Sequence, residues 1–283
     1  MKLIVDSGST KTDWIALDTN NEVSFETQTQ GLNPQVLSDQ ILEERIVNNY
    51  DLYRQRKTVK QIYFYGAGCG TRPPRELLKD VLQGIFVNAQ IEVKEDTYAA
   101  VYAATNAGEK SIVCILGTGS NCSYFDGAEV EQRITSLGYI LMDDGSGNYF
   151  GRQLLRDYYF NKIPKEMAKV FEDSFDLSSE IIKTNLYKKP NPNTYLATFA
   201  RFLIDNKENE YSQELIKKGF GLFTRHQILQ FENAKEVPVH FIGSIAFYLQ
   251  QELKEVLASL GVNVGKIQKK PIEGLVEHHR KLN

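Results

Sequence analysis

Two short segments of this chain combine small residues with hydroxyls in the way a phosphate-binding turn requires. The first is Asp6-Ser7-Gly8-Ser9-Thr10-Lys11-Thr12, and the second is Gly117-Thr118-Gly119-Ser120-Asn121. Small side chains let backbone N–H groups approach a phosphate, and hydroxyls add donors. Asp6, at the end of an apolar run, can hold Mg2+ directly or through water. Lys11 can neutralise phosphate charge. The same residues also suit an ordinary tight hairpin with a solvated lysine. Neither segment is a Walker P-loop, because no GxxxxGK[ST] occurs in the chain. Two turns of one chemistry point to a triphosphate gripped from both sides.

Two carboxylates stand just ahead of helical patterns. Asp96, in Glu95-Asp96-Thr97-Tyr98-Ala99-Ala100, reads as a helix N-cap and equally as a carboxylate facing a cleft. Asp143, in Asp143-Asp144-Gly145-Ser146-Gly147, reads as a cap or solvated loop, or as an acceptor of hydrogen bonds from substrate hydroxyls. A third glycine-rich stretch, Gly66-Ala67-Gly68-Cys69-Gly70, follows a strand and precedes a helix as a dinucleotide fingerprint would, with Glu92 near the distance of a ribose contact. Thr71 stands where that fingerprint needs a small residue, and three strands precede it, so dinucleotide binding is disfavoured.

These segments are positioned by a repeated pattern. Leu3–Val5, Trp14–Leu17 and Val23–Phe25 read as three strands joined by the first turn and by Asp18-Thr19-Asn20-Asn21. About 110 residues later Ile112–Leu116, Cys122–Phe125 and Val130–Ile134 repeat it, with Asp126-Gly127 as the hairpin signal. We expect two related halves, 1–110 and 111–283, packed closely with a cleft between them. In each, a three-strand meander opens a mixed five-stranded sheet. Helical periodicity is expected over 34–50, from Pro73-Pro74 to Val87, and over 97–104. Short strands are expected at 62–65 and 91–93. The second half is expected to be almost wholly helical over 147–232, a length that suits a dimer surface. A strand at 237–242 and Gly243-Ser244 follow. A helix then runs from Ile245 to Leu260, Gly261 caps it, and the last strand is 262–264. A final helix from about Pro271 is expected to pack onto the first half.

Composition sets the class. The chain has 283 residues, enough for roughly two domains at ~150 residues each. Apolar residues make up 42% and charged residues 24%, the balance of a globular protein. Thirty-three Lys and Arg against 36 Asp and Glu leave a net charge of −3, which gives no electrostatic reason to bind nucleic acid. No apolar run approaches the ~20 residues of a membrane span, and the opening stretch is too short for a secretory leader. Three cysteines, with no CxxC pair, argue against a disulfide framework or thiolate zinc site; Cys114 reads as a buried hydrophobe. His278 and His279 read as a solvated pair. A cytoplasmic location is expected.

The set Asp6-Ser-Gly-Ser-Thr-Lys-Thr, Asp96-x-x-Ala-Ala, Gly117-Thr-Gly-Ser, Asp143-Asp-Gly-Ser-Gly and Gly243-Ser resembles the N-acetylglucosamine kinase branch of the BadF/BadG/BcrA/BcrD-type ATPase family. That family lies within the sugar kinase, heat-shock ATPase and actin superfamily. The resemblance implies an α/β chain of two ribonuclease H-like domains, with ATP and sugar in the interdomain cleft of an actin-like ATPase. It places Asp6, Gly8, Thr10 and Lys11 on the first phosphate motif, Gly117, Thr118 and Gly119 on the second, and Gly243 on the adenosine motif. Asp96 falls on the catalytic base and Asp143 on the acid that binds sugar hydroxyls. Asn33 and Asn121 fall on sugar contacts. Ser7 and Ser9 replace two glycines common in the first motif, Glu95 stands where Asn is often found, and Ser244 replaces a second glycine.

The function implied is transfer of the γ-phosphoryl group of Mg·ATP to the 6-hydroxyl of an amino sugar, N-acetylglucosamine first, with N-acetylmuramic acid or glucosamine as near alternatives. A homodimer is a further expectation. Two other classes share the scaffold. An ATPase driving a redox partner needs thiolates placed together for an iron–sulfur cluster, and these three cysteines are scattered. A sugar sensor without catalysis differs only in turnover; strand one begins at residue 2, which leaves no room ahead of it for a DNA-binding segment.

Overall fold

Two sheets of identical strand order organise the protein, described by a computed structural model over residues 1–8, 11–106 and 108–281. Thr10, placed by the sequence on the first phosphate motif, lies outside the described residues. By packing, the chain forms two compact units: Met1–Thr105 together with the stretch from Pro271, and Asn106–Lys270. The division at residue 110 expected from the repeat therefore differs from the packing at the C-terminus, where the last helix joins the first unit.

In the first unit, β1 (Lys2–Ser7), β2 (Lys11–Leu17) and β3 (Val23–Gln30) form an antiparallel meander. The chain then makes α1 (Asp39–Val47), α2 (Tyr50–Gln55), β4 (Gln61–Gly66), α3 (Arg72–Ile85), β5 (Gln90–Glu95) and α4 (Asp96–Ala104). The sheet order is β3-β2-β1-β4-β5, with β4 and β5 parallel to β1. Alternation along β1 explains why both faces are covered. Leu3 and Val5 enter a core with Trp14, Phe64 and Phe86, while Ile4 packs with Ile15, Tyr65, Ala99 and Leu275 on the other face.

The second unit repeats this with β6 (Ser111–Leu116), β7 (Ser120–Phe125) and β8 (Val130–Glu131). A helical stretch follows: α5 (Gly147–Tyr159), α6 (Lys165–Ser174), α7 (Ser179–Tyr187), α8 (Pro192–Thr198), α9 (Ala200–Asp205) and α10 (Glu210–His226). Then come β9 (Val239–Ile242), α11 (Ser244–Tyr248), α12 (Gln250–Ser259) and β10 (Val264–Gln268). The order β10-β9-β6-β7-β8 mirrors the first sheet. One core gathers Cys114 and Leu116 of the sheet with Phe150, Phe171, Phe202 and Phe220 of the inserted helices. Both units thus have the ribonuclease H-like arrangement of the actin-like ATPases.

Local expectations shift in several places. The strand expected over 130–134 pairs only at Val130 and Glu131, and the last strand lies at 264–268. The helix expected over 34–50 begins at Asp39, where Ser38 caps it through Ile41 N. The helix expected over 245–260 is two helices broken at Leu249. Gly261, with φ +72°, occupies the left-handed position beyond the second, as a helix-terminating glycine does.

The histidine pair is not solvated. It lies on α13 (Ile272–Lys281), which packs onto the first sheet. His279 is buried, and its Nε2 lies 2.8 Å from Tyr65 Oη. Burial holds its imidazole down at about 3, so it is neutral. His278 stacks on Tyr102 with centroids 4.5 Å apart.

Candidate functional site

Polar groups gather at the carboxyl ends of the parallel strands in each unit, where open α/β sheets place their ligands. In the first sheet Ser7, Gly66 and Glu95 lie in one row of register. The turn after β1 is closed by Gly8 N–H donating to Lys11 O at 2.9 Å. That amide, expected to face phosphate, is therefore engaged within the turn. Lys11 Nζ lies 2.9 Å from Asp13 Oδ1, so its charge is shared with a neighbouring carboxylate. Asp6 is half-buried at the end of β1. Ser7, a departure from glycine, has a structural reason. Its buried hydroxyl meets Thr12 Oγ1 at 2.7 Å and accepts from Leu32 N–H at 3.1 Å, tying the turn to the Gly31–Asn33 loop.

The Gly66–Gly70 turn is a floor for side chains. Gly68 has φ +80°, and a Cβ there would collide with Asn33 Oδ1. A Cβ at Gly70 would lie 2.9 Å from Glu95 Oε1. Arg75 fastens this floor, donating through Nε to Cys69 O at 3.0 Å and through Nη2 to Gly70 O at 3.1 Å. Asn33 and Glu95 are thereby held on one turn, with Asp96 adjoining Glu95. Burial, with Asp96 next in effect, pushes the Cys69 thiol up to about 12, so it is a neutral filler.

Asp96 occupies the first helical position of α4, not the cap; Glu95 is the capping residue by backbone geometry and makes no side-chain cap bond. Burial first, then the Glu95 carboxylate, raises the Asp96 carboxyl to about 6, while the amides of Thr97 and of Asp96 itself pull it partly back. A carboxylate poised near neutrality is what proton abstraction needs.

In the second unit the turn between β6 and β7 is again three residues, Gly117, Thr118 and Gly119. Gly117 N–H donates to Gly119 O at 3.0 Å. The helix α5 is stitched beneath it: Gly147 N–H reaches Gly117 O at 2.8 Å, and Asn148 N–H reaches Thr118 O at 2.9 Å. Among the described residues the amides of Thr118 and Gly119 donate to no backbone carbonyl. Asp143, buried and with φ +66°, brings its carboxylate onto this turn. A Cβ at Gly119 would lie 2.8 Å from Asp143 Oδ2, and Asn148 Nδ2 donates to the same oxygen at 2.7 Å. Asn148 Oδ1 is buried without a partner among the described residues. Asp144 turns away to His226 Nδ1 at 2.8 Å.

Gly243, with φ +127°, lets the start of α11 lie against β6, where any Cβ would collide with Leu116 O. Beside it a cavity of about 530 Å3 is lined by Ala197, Arg201, Asp205, Ser244 and Tyr248, among others. Ala197 also touches the position of a Gly147 Cβ, so the cavity adjoins the Gly117–Gly119 turn. Asn121 sits apart on β7, its Oδ1 accepting from Ser123 Oγ at 3.3 Å. The structure thus groups Asp6, Gly8, Asn33 and Asp96 in one unit, and Gly117–Gly119, Asp143 and Gly243 in the other. Sequence reasoning missed Asn148 and Arg75. Asn148 had a signal: an amide in the first turn of the helix that the Asp143 segment caps.

Two duplicated five-stranded sheets of this order are the fold of the actin-like ATPases, a class that includes sugar kinases. A candidate N-acetylglucosamine kinase from Porphyromonas gingivalis superposes with a TM-score of 0.92 at 32% identity over 99% of both chains. The protein belongs to this family of N-acetylglucosamine kinase-like sugar kinases. A second candidate N-acetylglucosamine kinase, from Chromobacterium violaceum, has a TM-score of 0.76 at 14% identity over 98% of both chains. A ROK family glucokinase from Streptomyces griseus, solved with glucose and AMPPNP, shares the fold at TM-score 0.62 and 16% identity, over 99% of this chain and 98% of its own. No protein-family model and no curated protein matches the sequence. Among the described residues no helix is long and apolar enough to cross a membrane.

Proposed function

We propose that the protein is an ATP-dependent kinase that phosphorylates the 6-hydroxyl of an amino sugar, N-acetylglucosamine first, as a member of the BadF-type branch its motifs resemble. The observation that carries this reading is Asp96, a carboxylate held near neutrality at the end of a parallel strand. Its neighbours Asn33 and Glu95 are fixed on one glycine-rich floor.

Phosphoryl transfer needs positioning and charge stabilisation more than covalent chemistry. Asp96 takes the proton of the sugar hydroxyl as the O6–Pγ bond forms; the bond from Pγ to the bridging oxygen breaks, and ADP leaves with its electron pair. Asn33, beside Asp96, is assigned to sugar hydroxyls in the first unit, and Asp143 is assigned to them in the second. The turn of Gly8, Thr10 and Lys11 in the first unit and that of Gly117, Thr118 and Gly119 in the second are each assigned to phosphate. The cavity beside Gly243 is large enough for a nucleoside, within the ~300–1,000 Å3 usual for small-ligand sites. Asp6 fits Mg2+, a hard cation that typically keeps several of its waters and takes one or two carboxylates. Bound there, Mg2+ supplies charge neutralisation.

The test is turnover by the purified protein with Mg·ATP and a panel of amino sugars, with the product's phosphate placed by mass spectrometry. Phosphorylation at O6 is expected. Sugar binding without turnover across the panel would make the protein a sensor.

A further inference from the structure

The Glu95 side chain is oddly spent for a residue at a helix cap. It makes no cap bond to the first-turn amides of α4. Its carboxylate instead lies on the Gly70 backbone, close enough that a Cβ there would approach Oε1 to 2.9 Å. Only a glycine permits this seat. The same turn carries Asn33 two residues earlier, on Gly68, and Asp96 follows Glu95 directly. Resting on the reading of Asp96 and Asn33 as sugar-site residues, we propose that Glu95 is a specificity-determining residue. Parked on Gly70, it gives the sugar subsite a fixed negative charge that favours a cationic substituent on the substrate and disfavours an anionic one.

The cations adjacent to it in the turn and strand are directed elsewhere. Arg75 is the cation on the floor, and its guanidinium is directed at the carbonyls of Cys69 and Gly70. Among the described residues no ion pair joins it to Glu95 or Asp96. Lys94, next along β5, projects to the opposite face of the sheet, where it bonds Glu92 at 2.6 Å and Tyr102 at 3.0 Å. Cys69 is neutral, as is His279 on α13. Glu95 is thus a carboxylate that the guanidinium on its own turn does not pair with. Charges at partly buried positions act with far less screening than in bulk water.

Two ligands of nearly equal size isolate this term. Glucosamine carries an ammonium where glucose carries a hydroxyl. Their dissociation constants are to be measured by calorimetry at pH 6.5 for the intact protein, Glu95→Gln and Gly70→Ala, each checked for a native melting transition. The intact protein is expected to prefer glucosamine by roughly tenfold, the factor that about 1.4 kcal/mol supplies. In Glu95→Gln the preference should fall to near unity. In Gly70→Ala, where the new methyl dislodges a flexible carboxylate, it should fall two- to threefold. A preference near unity in the intact protein, an unchanged preference in Glu95→Gln, or binding of neither sugar would overturn the assignment. Each readout is independent of turnover, so a charge-selective protein that phosphorylates nothing would refute the kinase reading and leave this one standing.

Discussion

The junction before α4 and the loop before α5 each deliver an aspartate to the start of a helix, and they treat it in opposite ways. At the first, Asp96 sits inside the helix beside a second carboxylate, and its environment resists ionisation. At the second, Asp143 is held in a left-handed backbone conformation that costs energy for a non-glycine residue, and Asn148 donates to its oxygen. One site stores basicity; the other fixes an acceptor. The lesson is that a pattern of acid-before-helix carries no chemistry until the neighbours are known, because what surrounds a carboxyl group decides whether its ionisation is resisted or its oxygens are held by a donor.

The strongest way to break this contrast is Asp96→Asn. If Asp96 is the general base, kcat should fall by about 10²–10⁴-fold, with sugar affinity within a few-fold of the parent by calorimetry. A parallel loss of affinity would make Asp96 a binding residue. The same substitution should stabilise the fold. A carboxyl raised on folding penalises the folded state once ionised, so at pH 8 the variant should gain about 1–2 kcal/mol in chemical denaturation. The gain should shrink as pH falls below about 6 and vanish below about 3, where folded and unfolded wild type are both protonated.

Asp143→Ala should act next most strongly and differently. Losing a charged acceptor typically costs about 1.5–3 kcal/mol, so the sugar KM should rise roughly ten- to a hundredfold, with a smaller change in kcat. Unchanged sugar KM would move Asp143 from the sugar to the turn it touches. A pH series sharpens the distinction. The acid limb of kcat/KM should titrate near 6 in the parent and persist in Asp143→Ala, since it belongs to Asp96. Its disappearance in that variant would assign the wrong carboxylate. The smallest effect is expected from Gly119→Ala, whose methyl would press on Asp143 Oδ2. A few-fold loss of ATP affinity by fluorescence titration is expected, with Gly119→Val larger. Unaltered affinity in both would remove this turn from nucleotide binding.

The topology was legible because its signals are local. Apolar runs broken by Gly/Ser/Thr turns repeat at a fixed offset, and each run is long enough to mark a strand. The pairs that shape the site are not local. Nothing in the sequence says that Asn33 rests on Gly68 or Glu95 on Gly70, since each depends on where two elements meet. His279 was misjudged for another reason. The charged run Glu277 to Lys281 looks solvated when read as composition. Ile272, Leu275, Val276 and His279 lie at helical spacing on one stripe, and that periodicity was the signal to weigh.

The last helix completes the first sheet's packing, so that unit is assembled from two stretches of chain about 165 residues apart. At the roughly 5–20 residues per second of synthesis, Ile4, Ile15 and Tyr65 wait some 10–50 seconds before Leu275 and Val276 arrive to cover them. The second unit, continuous in sequence, has everything it needs to fold in that interval. A nascent chain of this kind carries one finished body and one with an open apolar face. That face is where a chaperone would be expected to bind it.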